Sequence, residues 1–314
     1  MADDRVTRLA AVAVAAASVA FAAPPARADW TQAAPGDKVA LLPAADLALV
    51  AGGMAYWLGT GLAKQQLAPA VCRVCNGVDN TGLSNGPGAG QSGLNGVDAF
   101  FHDRLTGALF SRKGSDTISN VIGFGLFPAG ALVASYLATG NGSSGAGLRG
   151  VAISVESLAV AGTLIQSIKY LAARKRPFVR YGHANDGATD SEGSTYDVNN
   201  PDSHLSFPSG HTGATAALTV SAAMLATLQE SEAAPYLWAG AAVCTVSVAA
   251  LRMMAEKHYF TDVLAGAALG AGAGALVPWL HKRGGLLDGT GAVNAQLQLS
   301  PVPGGTAFAL AGQF

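Results

Sequence analysis

Two histidines, three cations and one carboxylate recur in this chain at spacings that could do chemistry. Lys169 and Arg176 are seven residues apart, and Pro177 follows. The second block is Phe207-Pro208-Ser209-Gly210-His211, and the third runs from Arg252 through His258 to Asp262. A phosphate group needs fixed positive charge around its oxygens, and breaking its ester bond needs a nucleophile and a proton donor. These residue types supply all three.

Each block carries a local expectation. Seven residues span about two helical turns, so Lys169 and Arg176 are expected on one helix face near its end. Pro177 disfavours helix at the residue before it, which stops the helix at Arg176. Ser209 is a good N-cap for the apolar run after His211. The free N–H groups and positive dipole end of that helix suit an anion. Gly210 lets the backbone come close to it. A helix starting near His258 places Asp262 one turn along on the same side. A carboxylate there can hold one ring nitrogen of His258 and leave the other free to attack.

Singly, these features are ordinary. A Lys and an Arg at this spacing usually mark a solvated helix end, and a His and an Asp four apart are often a surface pair. Three such elements in order, set between apolar segments where unpaired charge is costly, point to a common anion.

The three blocks resemble the signature of the type 2 phosphatidic acid phosphatase superfamily, shared with bacterial class A acid phosphatases and vanadium haloperoxidases. The resemblance spans roughly residues 115–283. One departure is Leu251, where the family usually has Ser before the third-block Arg. The resemblance implies a phosphatase that hydrolyses a phosphomonoester or a lipid (pyro)phosphate. His258 would be the nucleophile, passing through a phosphohistidine. Asp262 would orient it, and His211 would be general acid and then general base. Lys169, Arg176, Arg252, Ser209 and the Gly210 amide would hold the phosphoryl oxygens. No compact metal-ligand motif stands in the sequence, so the expected hydrolysis needs no metal or cofactor. The alternatives are a vanadate-dependent haloperoxidase and a non-catalytic phosphate- or lipid-binding module.

The elements that must position these residues read as helices. The chain is 50% hydrophobic and 12% charged over 314 residues, with a formal net charge of −1. That balance suggests no nucleic-acid partner. The expected fold is all-α, a bundle of about six apolar helices with a short C-terminal β-hairpin. Four regions are expected: a signal peptide over 1–28, a helix and irregular loop over 29–114, the helical core over 115–283, and the hairpin extension over 284–314. Gly266, Gly270 and Gly274 recur every fourth residue, a pattern that permits close helix packing or merely reflects an Ala/Gly-rich composition.

Arg5 and Arg8 precede an apolar run from Leu9 to Ala23, and Ala26-Arg27-Ala28 offers a small-x-small cleavage site. Export would fit a disulfide between Cys72 and Cys75, while Cys244 reads as a buried small side chain. The segment from Arg180 to Ser206 is polar and acidic. It carries Asp186, Asp190, Glu192, Asp197 and Asp202, and reads as a solvated loop or as a lid beside the phosphate site. Several apolar helices approach the roughly 20 residues needed to cross a bilayer. Mean hydropathy is only +0.32. The reading favours an exported, periplasmic or envelope domain associated with the membrane, with a multi-pass inner-membrane protein as the alternative. The expected partner is a phosphorylated small molecule or lipid.

Overall fold

The computed structural model describes residues 33, 36–69, 71–75, 94–140, 143–181, 196 and 200–285, and the backbone of 296–302 and 305–311. The signal peptide expected over 1–28 lies outside the described residues. The main helices are α1 (Pro43–Leu62), α2 (Lys64–Leu67), α3 (Gly96–Leu105), α4 (Arg112–Val121), α5 (Phe127–Gly140), α6 (Ser144–Ala172), α7 (Pro177–Arg180), α8 (Gly210–Leu228), α9 (Ala234–Met254) and α10 (Phe260–Leu280).

Helix α8 is the axis of the bundle. It packs against α5, α6, α9 and α10, and its Ala, Ser and Thr side chains are buried almost all round. Small side chains let four neighbours approach one helix. The closest approach is to α10, and the glycine repeat makes it possible. A Cβ added at Gly266, Gly270 or Gly274 would fall 2.3, 2.1 or 2.5 Å from the carbonyl oxygens of Ser209, Gly213 and Ala217. Real Cβ atoms do not come that close, so the repeat is a packing requirement rather than a by-product of composition. A second patch of core, Val39, Ile153, Leu225 and Val277, closes the far end of the bundle.

Helix α6 stops earlier than expected. Ala173 caps it in the left-handed region at φ 43°, and Arg174 to Arg176 continue as extended chain. Arg176 has φ −74° and ψ 155°, the conformation a following proline imposes. Lys169 and Arg176 therefore do not share a helix face. Arg176 reaches the site from a strand-like segment beyond the helix end. Helix α10 likewise begins two residues after His258, at Phe260, with Tyr259 as its N-cap. His258 precedes the helix, and Asp262 sits in its first turn.

Four helical stretches are long and apolar enough to cross a membrane: Arg112–Gly140, Ser144–Ala172, Ala234–Met254 and Phe260–Leu280. They support membrane association. The first of them contains a π-helical turn at Ile122–Leu126, which joins α4 to α5. The hairpin expected over 284–314 is not supported as part of this architecture. The backbone pairing of residues 296–302 with 305–311 is internal to that segment, and an isolated two-stranded ribbon is marginal in water. The described fold is otherwise helical.

Candidate active site

His258 is buried, with 2% of its surface exposed. Its Nδ1 lies 2.6 Å from the carbonyl oxygen of Ser206, so Nδ1 carries the proton and donates it to that carbonyl. Its Nε2 lies 3.3 Å from a guanidinium nitrogen of Arg176. A guanidinium can only donate, so Nε2 presents a lone pair. Burial, and after it the positive charges of Arg176, Lys169 and Arg252, push His258 well below its ordinary pKa. The neutral tautomer with its proton on Nδ1 and its lone pair on Nε2 is therefore the resting state near neutral pH.

Asp262 stands one step back from the imidazole. Its Oδ2 is 3.7 Å from His258 Nδ1. The same oxygen accepts the Ser206 hydroxyl at 2.5 Å and the Tyr259 N–H at 2.9 Å. Its Oδ1 accepts from Arg174 at 2.5 Å. Arg174 in turn donates to Asp98 of α3 at 2.7 Å, and Asp98 accepts the Thr261 N–H at 2.8 Å. This network pins the start of α10 to the extended segment after α6 and to α3. Asp262 thereby fixes Ser206, whose carbonyl fixes His258.

The cations converge on the same end of the bundle. Arg176 donates to the Lys257 carbonyl at 2.6 Å and to the Asp202 carboxylate at 2.7 Å. Lys64 meets the other Asp202 oxygen at 3.0 Å. Burial alone would raise Asp202, but Arg176, Lys64 and Lys169 reverse that and hold its carboxyl far below the usual range. Lys169 donates to the Leu205 carbonyl at 2.8 Å. Ser209 is the N-cap of α8, as its residue type suggested, and accepts from the Thr212 N–H. Gly210 opens that helix, and a Cβ there would come within 3.7 Å of the Lys169 side chain.

Arg252 closes the site from α9. It donates to Asp116 at 2.5 Å, to the Ser119 hydroxyl at 3.2 Å and to Asn120 at 3.5 Å. Asn120 also lies 2.6 Å from His211 Nε2, and the Phe124 ring packs 4.1 Å from the His211 ring. Lys257 approaches Asp116 at 3.8 Å and lies 3.4 Å over the Tyr196 ring. Burial lowers the Lys257 amine to about 7 against the pull of Asp116.

The structure brings together every residue singled out for phosphate chemistry: Lys169, Arg176, Ser209, Gly210, His211, Arg252, His258 and Asp262. It adds residues that sequence reasoning missed. Asp116, Ser119 and Asn120 of α4 form one face by their i, i+3, i+4 spacing, and that spacing was the available signal. Ser206 acts through its backbone, for which no side-chain signal exists. Of the acidic residues in the 180–206 segment, Asp202 joins the site. Asp186, Asp190, Glu192 and Asp197 lie outside the described residues. Cys72 and Cys75 are joined in a disulfide with Cα atoms 5.3 Å apart, remote in sequence from all three blocks.

The helical bundle gathers two histidines and several cations at one end. Residues 150–285 match the model of the PAP2 superfamily, and that match supports the resemblance to the type 2 phosphatidic acid phosphatase superfamily. The match contains all three blocks and begins after α4 and α5. No curated protein and no solved structure matched the chain. The match suggests phosphatase activity in broad terms.

Proposed function

We propose that the protein hydrolyses a phosphate ester through a phosphohistidine at His258. Nε2 attacks phosphorus while the bond to the leaving oxygen breaks, and His211 gives that oxygen its proton. Water, deprotonated by His211, then cleaves the P–N bond and releases phosphate. Lys169, Arg176 and Arg252, with the Ser209 hydroxyl and the Gly210 amide, hold the three phosphoryl oxygens as charge spreads over them. These cations fill the charge-stabilising role without a metal in the reaction. The observation that carries this reading is the hydrogen bonding of His258, with a carbonyl at Nδ1 and a guanidinium at Nε2.

A lipid phosphate is the favoured substrate. Phe124 packs on His211 while half exposed, and Val121, Leu126, Val133 and Leu137 continue an exposed apolar face away from it. An acyl or prenyl chain could lie along that face with its headgroup among the cations. The envelope location expected from the N-terminal sequence belongs to this proposal, and cell fractionation tests it.

The deciding experiment uses the purified full chain in detergent with p-nitrophenyl phosphate and with phosphatidate in mixed micelles. His258→Ala should abolish phosphate release from both. A brief labelled-substrate pulse, quenched in alkali, should leave acid-labile phosphate on His258 by peptide mapping. Full activity in the variant, or label on another residue, overturns the assignment.

A further inference from the structure

At the other end of α10 from the candidate active site, three side chains from separate parts of the chain meet around one point. Asp46 comes from the first turn of α1, Glu156 from the middle of α6, and His281 from the end of α10. His281 Nε2 lies 3.2 Å from Asp46 Oδ2 and 3.3 Å from Glu156 Oε2. All three ligand atoms lie within 4.8 Å of one another. We propose that this cluster is a binding site for one zinc-type divalent transition ion, structural rather than catalytic.

The first argument is the polarity of the three atoms. His281 Nδ1 is 2.8 Å from the Val277 carbonyl oxygen and donates its proton there. In the neutral ring this makes Nε2 a lone pair facing two carboxylate oxygens. Three acceptors aimed at one another repel unless a cation or a proton lies between them. Nε2 and Glu156 Oε2 are both buried and form no hydrogen bond. A shared proton would leave these contacts misdirected. Glu156 and His281 are each only 5% exposed, so bulk solvent screens them little. Two carboxylates beside a neutral imidazole carry two negative charges, which one dication cancels.

The second argument is size. Zinc bonds to imidazole nitrogen and carboxylate oxygen are about 2.0–2.2 Å, and a tetrahedron of such bonds has edges of about 3.3–3.5 Å. The two separations, 3.2 and 3.3 Å, lie at or just under the short end of those edges. A ring N–H held by a backbone carbonyl is the usual way a protein fixes a metal-binding imidazole. Asp46 is held too, since its Oδ2 accepts the Leu42 N–H at 2.6 Å. One nitrogen and two carboxylate oxygens suit zinc better than magnesium or calcium, which take oxygen ligands. The site stands apart from the reaction. His281 follows Asp262 by 19 residues along α10, roughly 28 Å at the helical rise. Its consequence would be to clamp α1 onto α6 and α10.

The test uses the full chain in detergent, stripped with EDTA, desalted and titrated with Zn2+ or Co2+. Wild-type protein should take up one tight equivalent by elemental analysis, show the strong visible bands of tetrahedral Co2+, and melt at a higher temperature when loaded. His281→Gln, Glu156→Gln and Asp46→Asn should each lose the equivalent and the bands. His258→Ala should keep both, which excludes the candidate active site as the binder. The proposal fails if wild-type protein binds no tight equivalent, as it would if His281 were simply an imidazolium shared by the two acids. It also fails if the three variants bind as wild type does. Should the variants not fold, the wild-type uptake and Co2+ spectrum decide alone.

Discussion

His258 Nδ1 is held by the backbone carbonyl of Ser206 at 2.6 Å, while the nearest carboxylate oxygen, on Asp262, is 3.7 Å away. The carboxylate expected to orient the nucleophile therefore works through an intermediary. It fixes Ser206 and the first turn of α10, and these fix the ring.

That arrangement separates two variants. Asp262→Ala breaks the buried pair with Arg174, and removing one partner of such a pair costs about 3–5 kcal/mol. It should lower the melting temperature and the turnover together. Ser206→Ala deletes the hydroxyl that donates to the Asp262 carboxylate but keeps the carbonyl that holds His258, so its turnover should fall by no more than roughly 10–100-fold, the loss of one hydrogen bond to a charged group, and by less than in Asp262→Ala. Thermal melts beside kcat check both. Equal losses in the two variants would mean that the carbonyl is not the main support.

The electrostatics of His258 set the acid limb of the pH profile. Burial and the surrounding Arg176, Lys169 and Arg252 hold it well below its ordinary value. In the proposed mechanism the reactive form is the neutral one, so activity should persist as pH falls through about 6.5, the value for a free histidine. The acid limb of kcat/KM should lie clearly below that point. Stability moves the same way. The unfolded chain takes up a proton at His258 near pH 6.5 and the folded chain does not. This group's contribution is therefore complete above pH 6.5 and is lost as pH falls toward the folded-state value. Rate and denaturant midpoints measured between about pH 4 and 8 test the two limbs.

Asn120 connects two parts of the site, touching His211 Nε2 at 2.6 Å and Arg252 at 3.5 Å. We read it as a positioning residue for the proton donor. Asn120→Ala should lower kcat on an alkyl or lipid phosphate by roughly 10–100-fold, a part of the roughly 10²–10⁴-fold that general acid catalysis contributes. p-Nitrophenolate leaves without help, so p-nitrophenyl phosphate should suffer much less. A purely structural role would depress both substrates alike.

Much of this was legible from side chains and spacing alone. The three blocks named the residues because each carries its chemistry in a side chain at fixed separation. The N-cap at Ser209 followed from residue type. What escaped was set by tertiary packing. Arg176 leaves the helix because α6 ends at a left-handed Ala173, which no glycine announced. Ser206 acts through a carbonyl that every residue possesses. Asp46, Glu156 and His281 are separated by more than a hundred residues at each step, so no motif could join them.

The contact between α8 and α10 gives the sharpest packing test. Gly270→Ala would set a Cβ 2.1 Å from the Gly213 carbonyl oxygen, and Gly266→Ala one 2.3 Å from that of Ser209. Both partners are backbone and cannot swing aside, so the helices must separate. Overpacking of this kind costs about 1–3 kcal/mol. Gly272 lies on the same helix with nothing within 4 Å of an added Cβ. Gly272→Ala should be neutral or stabilise by up to about 1 kcal/mol through helix propensity. The two harmful variants should also differ from each other. Gly266 abuts Ser209, and displacing that residue moves the N-cap that the proposed mechanism uses on phosphate. Gly266→Ala should therefore lose activity beyond what its melting temperature explains, whereas Gly270→Ala, one turn further from the site, should lose mainly stability. Melting curves and kcat/KM for the three variants, measured well below every midpoint, decide whether the glycine repeat serves the catalytic turn or only the packing of the bundle.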